Sequence, residues 1–428
     1  MKLFCLITSF LIIVSCNGQT YVIKADRIID VKNDKQLDNP VVIIQKNRIT
    51  DIRYDNNYPD AAIVIDLKGY SLLPGLIDVH THILAGVDDY NKDLYENSPS
   101  YRALRAAHHL SISLQNGFTT LRDVCTEGAG FADVDISRAI DSGFIIGPRV
   151  IPSGKGIAAT GRYVPFLKQQ NWEVDLAAGT QYATGIDECT KAVREQVSRG
   201  VKWIKLFSDW GTPTFNYEEI AAVVSEAKKY NVPVAAHATS KEAIRMAILA
   251  GVRSIEHGDA FNDSLIRLAV KNDVYWSPTI TVMEYYKQDL TEVYKQLNNA
   301  NKAKLKIVCG TDIGSFPWTI NQAKELEYYV KKAGLSPMDA IMTATVNAAQ
   351  LLRMETSIGS LEKGFMADII AVKGDPLKDI TLIQNISFVL SLLFDFDNHF
   401  YFNGHVHWKR GCTNGRPGML ACLSKNFN

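Results

Sequence analysis

Between Tyr21 and Asp66, short apolar runs such as Val41-Val42-Ile43-Ile44 and Ile63-Val64-Ile65 alternate with clusters of Asn, Asp and Lys. That pattern predicts small antiparallel strands joined by turns. After Leu73-Pro74-Gly75 the rhythm changes to apolar runs separated by amphipathic stretches, as repeated β-α units around a parallel sheet require. Strands are predicted at 76–84, 118–124, 149–153, 201–207, 232–237, 254–257, 274–277 and 306–312, enough to close an eight-stranded barrel. Helices fit between and after them. Residues 217–230 carry Ile220, Val223, Val224 and Ala227 at helical spacing, and 337–352 opens with Ser336 as cap and Pro337 at its first position.

Beyond Gly359 the strand pattern returns, notably at 367–372, before a turn at Gly374-Asp375-Pro376. This segment is expected to pair with the N-terminal strands. The predicted fold is therefore α/β: a (β/α)8 TIM barrel at 75–354, inserted in a small β-sandwich that both ends of the chain build from 20–74 and 355–390. The barrel section has a length close to the typical value of about 250 residues. Residues 391–428 form an atypical tail that matches no expected element.

The chain has 428 residues, 46% of them hydrophobic, and equal numbers of acidic and basic side chains. That is ample for one large core or two linked ones. With no net charge and no long basic block, nucleic acid is excluded as the main partner and a small or neutral ligand is favoured. Homo-oligomerisation is left open.

The first sixteen residues have the layout of an export signal, with Lys2, an apolar run at 3–14, and Ser15 before Cys16. The run is too short to span a bilayer comfortably. Ile13-Val14-Ser15-Cys16 resembles a bacterial lipobox, which would make Cys16 a lipidated first residue and place the protein in the periplasm or cell envelope. Ordinary secretion with Cys16 as a free thiol is the alternative. Apart from Cys5 and Cys16 there remain Cys125, Cys189, Cys309, Cys412 and Cys422, scattered without paired spacing. They read as buried or idle thiols rather than a disulfide framework or zinc knuckle.

Chemistry concentrates at predicted strand ends. In Asp78-Val79-His80-Thr81-His82 the alternation of a strand sends His80 and His82 to one face. Neutral imidazole is the commonest metal ligand, although such pairs also arise by chance. His237 closes the run from Val232, and His257 ends Ser254-Ile255-Glu256-His257, each where a barrel delivers side chains to its active face. Any one of these histidines alone would read as a hydrogen-bonded core residue; four at strand ends do not. Asp312 follows the apolar run Ile307-Val308-Cys309 and can bind metal or accept a proton. Lys205, ending the fourth strand, must pair, lose its proton or be modified, unless it snorkels to the surface. His108, His109, His399, His405 and His407 read as ordinary core or surface histidines.

The order HxH, strand-four lysine, His, His, Asp resembles the amidohydrolase superfamily over almost the whole mature chain. The stretches "LLPGLIDVHTHI", "GFTTLRDV", "GPRVIPSGKGIAATGRY", "VKWIKLF", "VPVAAHAT", "SIEHGD", "GTDIG" and "GSLEKGFMADIIAVKGDPL" narrow the resemblance to the imidazolonepropionase-like branch that includes Xaa-Pro dipeptidases. The resemblance implies a divalent-metal cofactor, with two zinc ions expected: His80, His82 and Asp312 on one, His237 and His257 on the other, and a carboxylated Lys205 bridging both. It implies amide hydrolysis by activated water, with Asp312 taking the proton and no covalent intermediate. A dipeptide, of Xaa-Pro or related type, is the expected substrate; imidazolonepropionase comes second, and cyclic amides or N-acyl amino acids remain open. Arg162 and Tyr163, in the loop 154–163, are candidates to hold a substrate carboxylate. Arg162 and Trp318 depart from the histidine or glycine-rich positions of relatives, in loops expected to face substrate. A lipid-anchored binding protein on the same barrel is the non-enzyme alternative, which so full a ligand set disfavours.

Overall fold

The computed structural model describes residues 20–86, 90–161, 179–391, 397–402 and 405–410. Cys16 and the rest of the signal, Arg162, Tyr163, Cys412 and Cys422 lie outside the described residues. The two ends of the chain meet along the strand Ile63–Pro74. It pairs in parallel with Thr20–Asp30 and antiparallel with Ile369–Lys373, with Ile369 opposite Pro74. These pairings run through one nine-stranded sheet. Alternation along its strands gives it two apolar faces. Ile23, Ala25, Leu72, Ile369, Ala371 and Phe388 build the small domain's own core, while Leu73, Ile370, Val372 and Val389 join the core of the barrel. The tail, expected to match no element, instead supplies the strands Asp397–Phe402 and His405–Arg410, which extend the sheet beyond Ile386–Ser391.

The barrel strands are all parallel. Leu76–Thr81, Phe118–Asp123 and Arg149–Ile151 form one ladder; Ile204–Phe207, Val234–Ala238, Ser254–His257 and Tyr275–Ser277 form another. A few backbone contacts close the ring. Lys202 N donates to Pro152 O at 2.8 Å on one side, and isolated bridges Trp276↔Ile307 and Thr81↔Ile313 join the other.

The eighth predicted strand is therefore not a ladder. Val308 N donates to Trp276 O at 2.9 Å and Asp312 N to His80 O at 2.8 Å, but between them the Cys309 amide goes to Thr343 O and the Thr311 amide to a side chain, which interrupts regular pairing. Asp78 accepts from the Thr311 amide at 3.1 Å, and a side chain at Gly310 would sit 2.1 Å from Ser277 Oγ. The helix expected at 337–352 is likewise two, Pro337–Thr343 and Val346–Leu351. The carbonyls of Thr343 and Ala344 leave the helix to accept from Cys309 N at 3.0 Å and Ile77 N at 2.8 Å, in the barrel floor. The Ser336 cap is present, its hydroxyl accepting from Asp339 N at 3.0 Å. Tyr217–Lys229 also forms as expected, held at its start by a capping box between Asn216 and Glu219. Among the described residues no helix is long and apolar enough to cross a membrane.

Candidate active site

His80, His82, Lys205, His237, His257 and Asp312 all line one pocket of about 410 Å³ at the strand ends. The first strand carries a register shift between Asp78 and Thr81, yet both its histidines reach the pocket. Ring centroids are 5.5 Å apart for His80 and His82, 4.9 Å for His80 and His257, and 4.5 Å for His237 and His257. One ligand atom each from His80, His257 and Asp312 lies within 4.8 Å of the other two. Asp312 Oδ1 is 3.3 Å from His82 Nε2 and 3.9 Å from His80 Nε2. Both His257, at φ 66°, and Asp312, at φ 63°, occupy the left-handed region. Non-glycine residues enter that region at a cost, and functional sites are where the cost is tolerated.

Electrostatics prepare the nitrogens. Burial, reinforced by the Lys205 amine, pushes His80 down to about 3. Burial also pushes His257 down to about 4 and His237 well below its ordinary value, so these three rings are neutral near pH 7 and able to ligate. His82 differs. Burial alone would lower it, but hydrogen bonds to Asp312 and Glu127 outweigh burial and hold it up at about 10. Asp312 gains reciprocally: burial opposes its charge, and His82 and His80 nonetheless keep it below the usual carboxylate range.

Three buried polar atoms at this place, His80 Nε2, His237 Nε2 and Lys205 Nζ, have no hydrogen-bond partner among the described residues. Burying such atoms unpaired is costly. Neutral imidazoles, a carboxylate and an amine directed at one pocket are a donor set that fits divalent metal.

Several residues that the sequence did not single out fix these groups in place. Glu256 Oε2 accepts from His80 Nδ1 at 2.7 Å, which leaves Nε2 with the lone pair that a metal could take. The other oxygen of Glu256 accepts from Arg122 Nη2 at 2.7 Å, and Arg122 Nε donates to Val79 O at 2.6 Å. His82 Nδ1 donates to the Cys125 carbonyl at 3.2 Å and lies 3.3 Å from Glu127 Oε1; Tyr90 OH donates to Glu127 Oε2 at 2.8 Å. His257 Nδ1 hydrogen-bonds Thr279 Oγ1 at 2.8 Å. Glu256 offered one signal in the sequence, an acid inside an apolar strand run, which needs a partner when buried. Glu127 and Thr279 offered none.

The pocket's other walls are largely apolar, with Phe207, Trp210, Val282, Met283 and Tyr286. Trp210 packs on His237 with ring centroids 4.4 Å apart. Trp318, expected in a substrate loop, does not line the pocket; it is buried and stacks on His109 at 4.8 Å.

The chain is similar to several known hydrolases. An ochratoxinase from Aspergillus niger is 30% identical over 355 residues, spanning 73% of this chain and 72% of the relative. Its crystal structure superposes with a TM-score of 0.77 over 94% of this chain and 99% of its own, at 25% identity. A Xaa-Pro dipeptidase solved with methionine in its active site superposes with a TM-score of 0.81, at 31% identity, over 90% of this chain and 100% of its own. An imidazolonepropionase from Deinococcus deserti is 22% identical over 364 residues, 81% of this chain and 88% of the relative. Residues 71–396, covering the whole barrel and its junction with the small domain, match the amidohydrolase family, and the chain is a member of that family, a hydrolase of carbon–nitrogen bonds on a TIM barrel with a small β-domain.

Proposed function

We propose that the protein is a metal-dependent dipeptidase, cleaving an Xaa-Pro or related peptide bond. The observation that carries this reading is the convergence of four imidazoles, Asp312 and the unpartnered Lys205 amine on one buried pocket. His80, His82 and Asp312 would hold one ion and His237 and His257 a second, with Lys205, carboxylated on Nζ, between them. Divalent ions so held, zinc first among them, supply Lewis-acid polarisation of the scissile carbonyl and acidify water. The chain's own residues do the rest. Asp312 accepts the proton of the attacking water and returns it to the leaving amine. Glu256 and Thr279 keep His80 and His257 in the tautomer that ligates. Phe207, Trp210 and Met283 line the pocket with apolar surface that limits bulk water.

The dipeptide is favoured because the Xaa-Pro dipeptidase superposes over all of its own length. Imidazolone or N-acyl amino acid hydrolysis is the second reading, supported by the imidazolonepropionase relative and by the ochratoxinase. Metal analysis of the purified protein, followed by a dipeptide library, tests both. About two zinc-like ions per chain with release of free amino acids is expected. Metal-free protein that binds dipeptides without cleaving them overturns the enzyme reading and favours a binding protein. Lys205→Ala is expected to lower metal content and rate together; a fully metallated, fully active variant removes the bridge. Arg162 and Tyr163 remain proposed contacts for a substrate carboxylate. Export with lipid attached at Cys16 is proposed from the signal alone, and palmitate labelling that depends on Cys16 is the expected result.

A further inference from the structure

We propose that Asp259 and Trp210 form the subsite for the amino-terminal residue of the substrate. The carboxylate holds a free α-ammonium, and the indole, with Val282, Met283 and Tyr286, receives a large apolar side chain. This assignment deepens the dipeptidase reading and rests on it.

The lining of the pocket divides by what its charges already do. Glu127 is engaged with His82 and Tyr90, and Asp312 with His82 and Ser315. Asp259 stands apart. It follows His257 and Gly258 at the end of the sixth strand, is exposed, and lines the same pocket. Among the described residues Asp209 is a second acid near it, but the Asp209 oxygens are taken by the amides of Thr239 at 2.9 Å and Ser240 at 2.6 Å. Among the described lining residues no lysine or arginine other than Lys205 stands by these acids, and a carboxylate without a counter-cation attracts one.

The same pocket is also lined by aromatic and apolar side chains. Trp210 is held between Phe207, at 5.4 Å, and His237, at 4.4 Å, so its position is fixed next to a proposed metal ligand and hence next to the reacting amide. Val282 and Met283 lie on the short helix Ile280–Tyr285, and Tyr286 after it is 56% exposed. An aromatic face also attracts a cation. Lys205 is the only lysine or arginine among the described lining residues, and it lies among the proposed ligands. This lining therefore accepts an ammonium or an apolar group and repels an anion. A peptide with a free amino terminus and a bulky apolar first residue satisfies every group on it. An N-acylated peptide leaves Asp259 without its cation.

The test uses metal-loaded full-length protein and four peptides sharing the C-terminal residue that the library selects. Their first residues are Phe, Gly, Glu and N-acetyl-Phe. Wild-type protein is expected to rank Phe above Gly above Glu in kcat/KM, and acetylation to cost about tenfold or more, mainly through KM. Asp259→Asn is expected to collapse the ratio of free to acetylated peptide by about tenfold and to relieve the discrimination against Glu. Asp259→Glu should keep most of the ratio, and Trp210→Ala should shrink the preference for Phe over Gly. Equal cleavage of free and acetylated peptide by the wild type, or an Asp259→Asn protein that loses rate equally on all four, overturns the subsite alone. Failure of the fully metallated protein to cleave any peptide overturns the dipeptidase reading and this assignment with it.

Discussion

Arg122 and Lys205 are both fully buried basic side chains inside the same barrel, each over an aromatic ring, and they differ in their hydrogen bonding. Arg122 donates to Val79 O, Ser254 Oγ and Glu256 Oε1, and its guanidinium lies 4.3 Å from the centre of the Trp203 ring. Lys205 Nζ has no hydrogen-bond partner among the described residues, and burial lowers its affinity for a proton. The layer around Arg122 is complete in itself and belongs to the scaffold. The layer around Lys205 is incomplete by itself, which is expected where the missing partner is a ligand rather than a side chain. The same molecule thus contains a polar layer that is complete in itself and one with unpaired buried donors, as the proposed metal site would require. Glu256 joins them, with one oxygen on Arg122 and the other on His80.

Four measurements probe that contrast. The largest effect is expected from Asp312→Asn, which keeps the shape but removes the proton acceptor: turnover should fall by roughly 10²–10⁴-fold with the far-ultraviolet circular dichroism unchanged. Undiminished turnover would take Asp312 out of the chemistry. Arg122→Met attacks the other layer, leaving Glu256 charged and buried beside an apolar chain. The protein should lose about 3–5 kcal/mol of stability in urea denaturation; a loss below about 1 kcal/mol would mean the layer is not scaffold. Glu256→Gln, at the junction, should weaken metal binding by about 10–100-fold in a chelator competition, and unchanged affinity would sever the two layers. The smallest change is expected for the metal-free Lys205→Met protein. Removing an unpaired buried amine should shift stability by no more than about 0.5 kcal/mol, or raise it. A drop comparable to that of Arg122→Met would make Lys205 a second structural cation and erase the distinction.

The candidate positions were legible because each lies in or at the end of a predicted strand, and strands announce themselves through local alternation. His80 and His82 could be placed on one face from their spacing; His237, His257 and Asp312 were expected at separate strand ends, Lys205 had a surface alternative, and the joint set came from the family resemblance. The eighth strand was misjudged since its apolar run is real, but Gly310 packs against Ser277 and His80, and Asp78 claims the Thr311 amide. The helix break at Ala344 and Thr345 was hidden for a similar reason. Helical spacing continues through it, and only contact with the amides of Ile77 and Cys309 ends the ladder. Trp318 looked like a loop residue facing substrate and proved to be a stacking partner of His109.

The sequence by itself determined the order of β-α units, the insertion of the barrel between two halves of one sheet, and the candidate residues for a metal site, because hydrophobic period and strand-end position are properties of neighbouring residues. Which nitrogen of His80 is left to ligate, which buried cation is paired, and which wall of the pocket is aromatic were decided only by the tertiary structure. His80 and Glu256 are separated by 176 positions, and Arg122 and Glu256 by 134. No local pattern encodes such pairings; barrel closure brings these groups within hydrogen-bonding distance, and burial there makes each pairing energetically decisive.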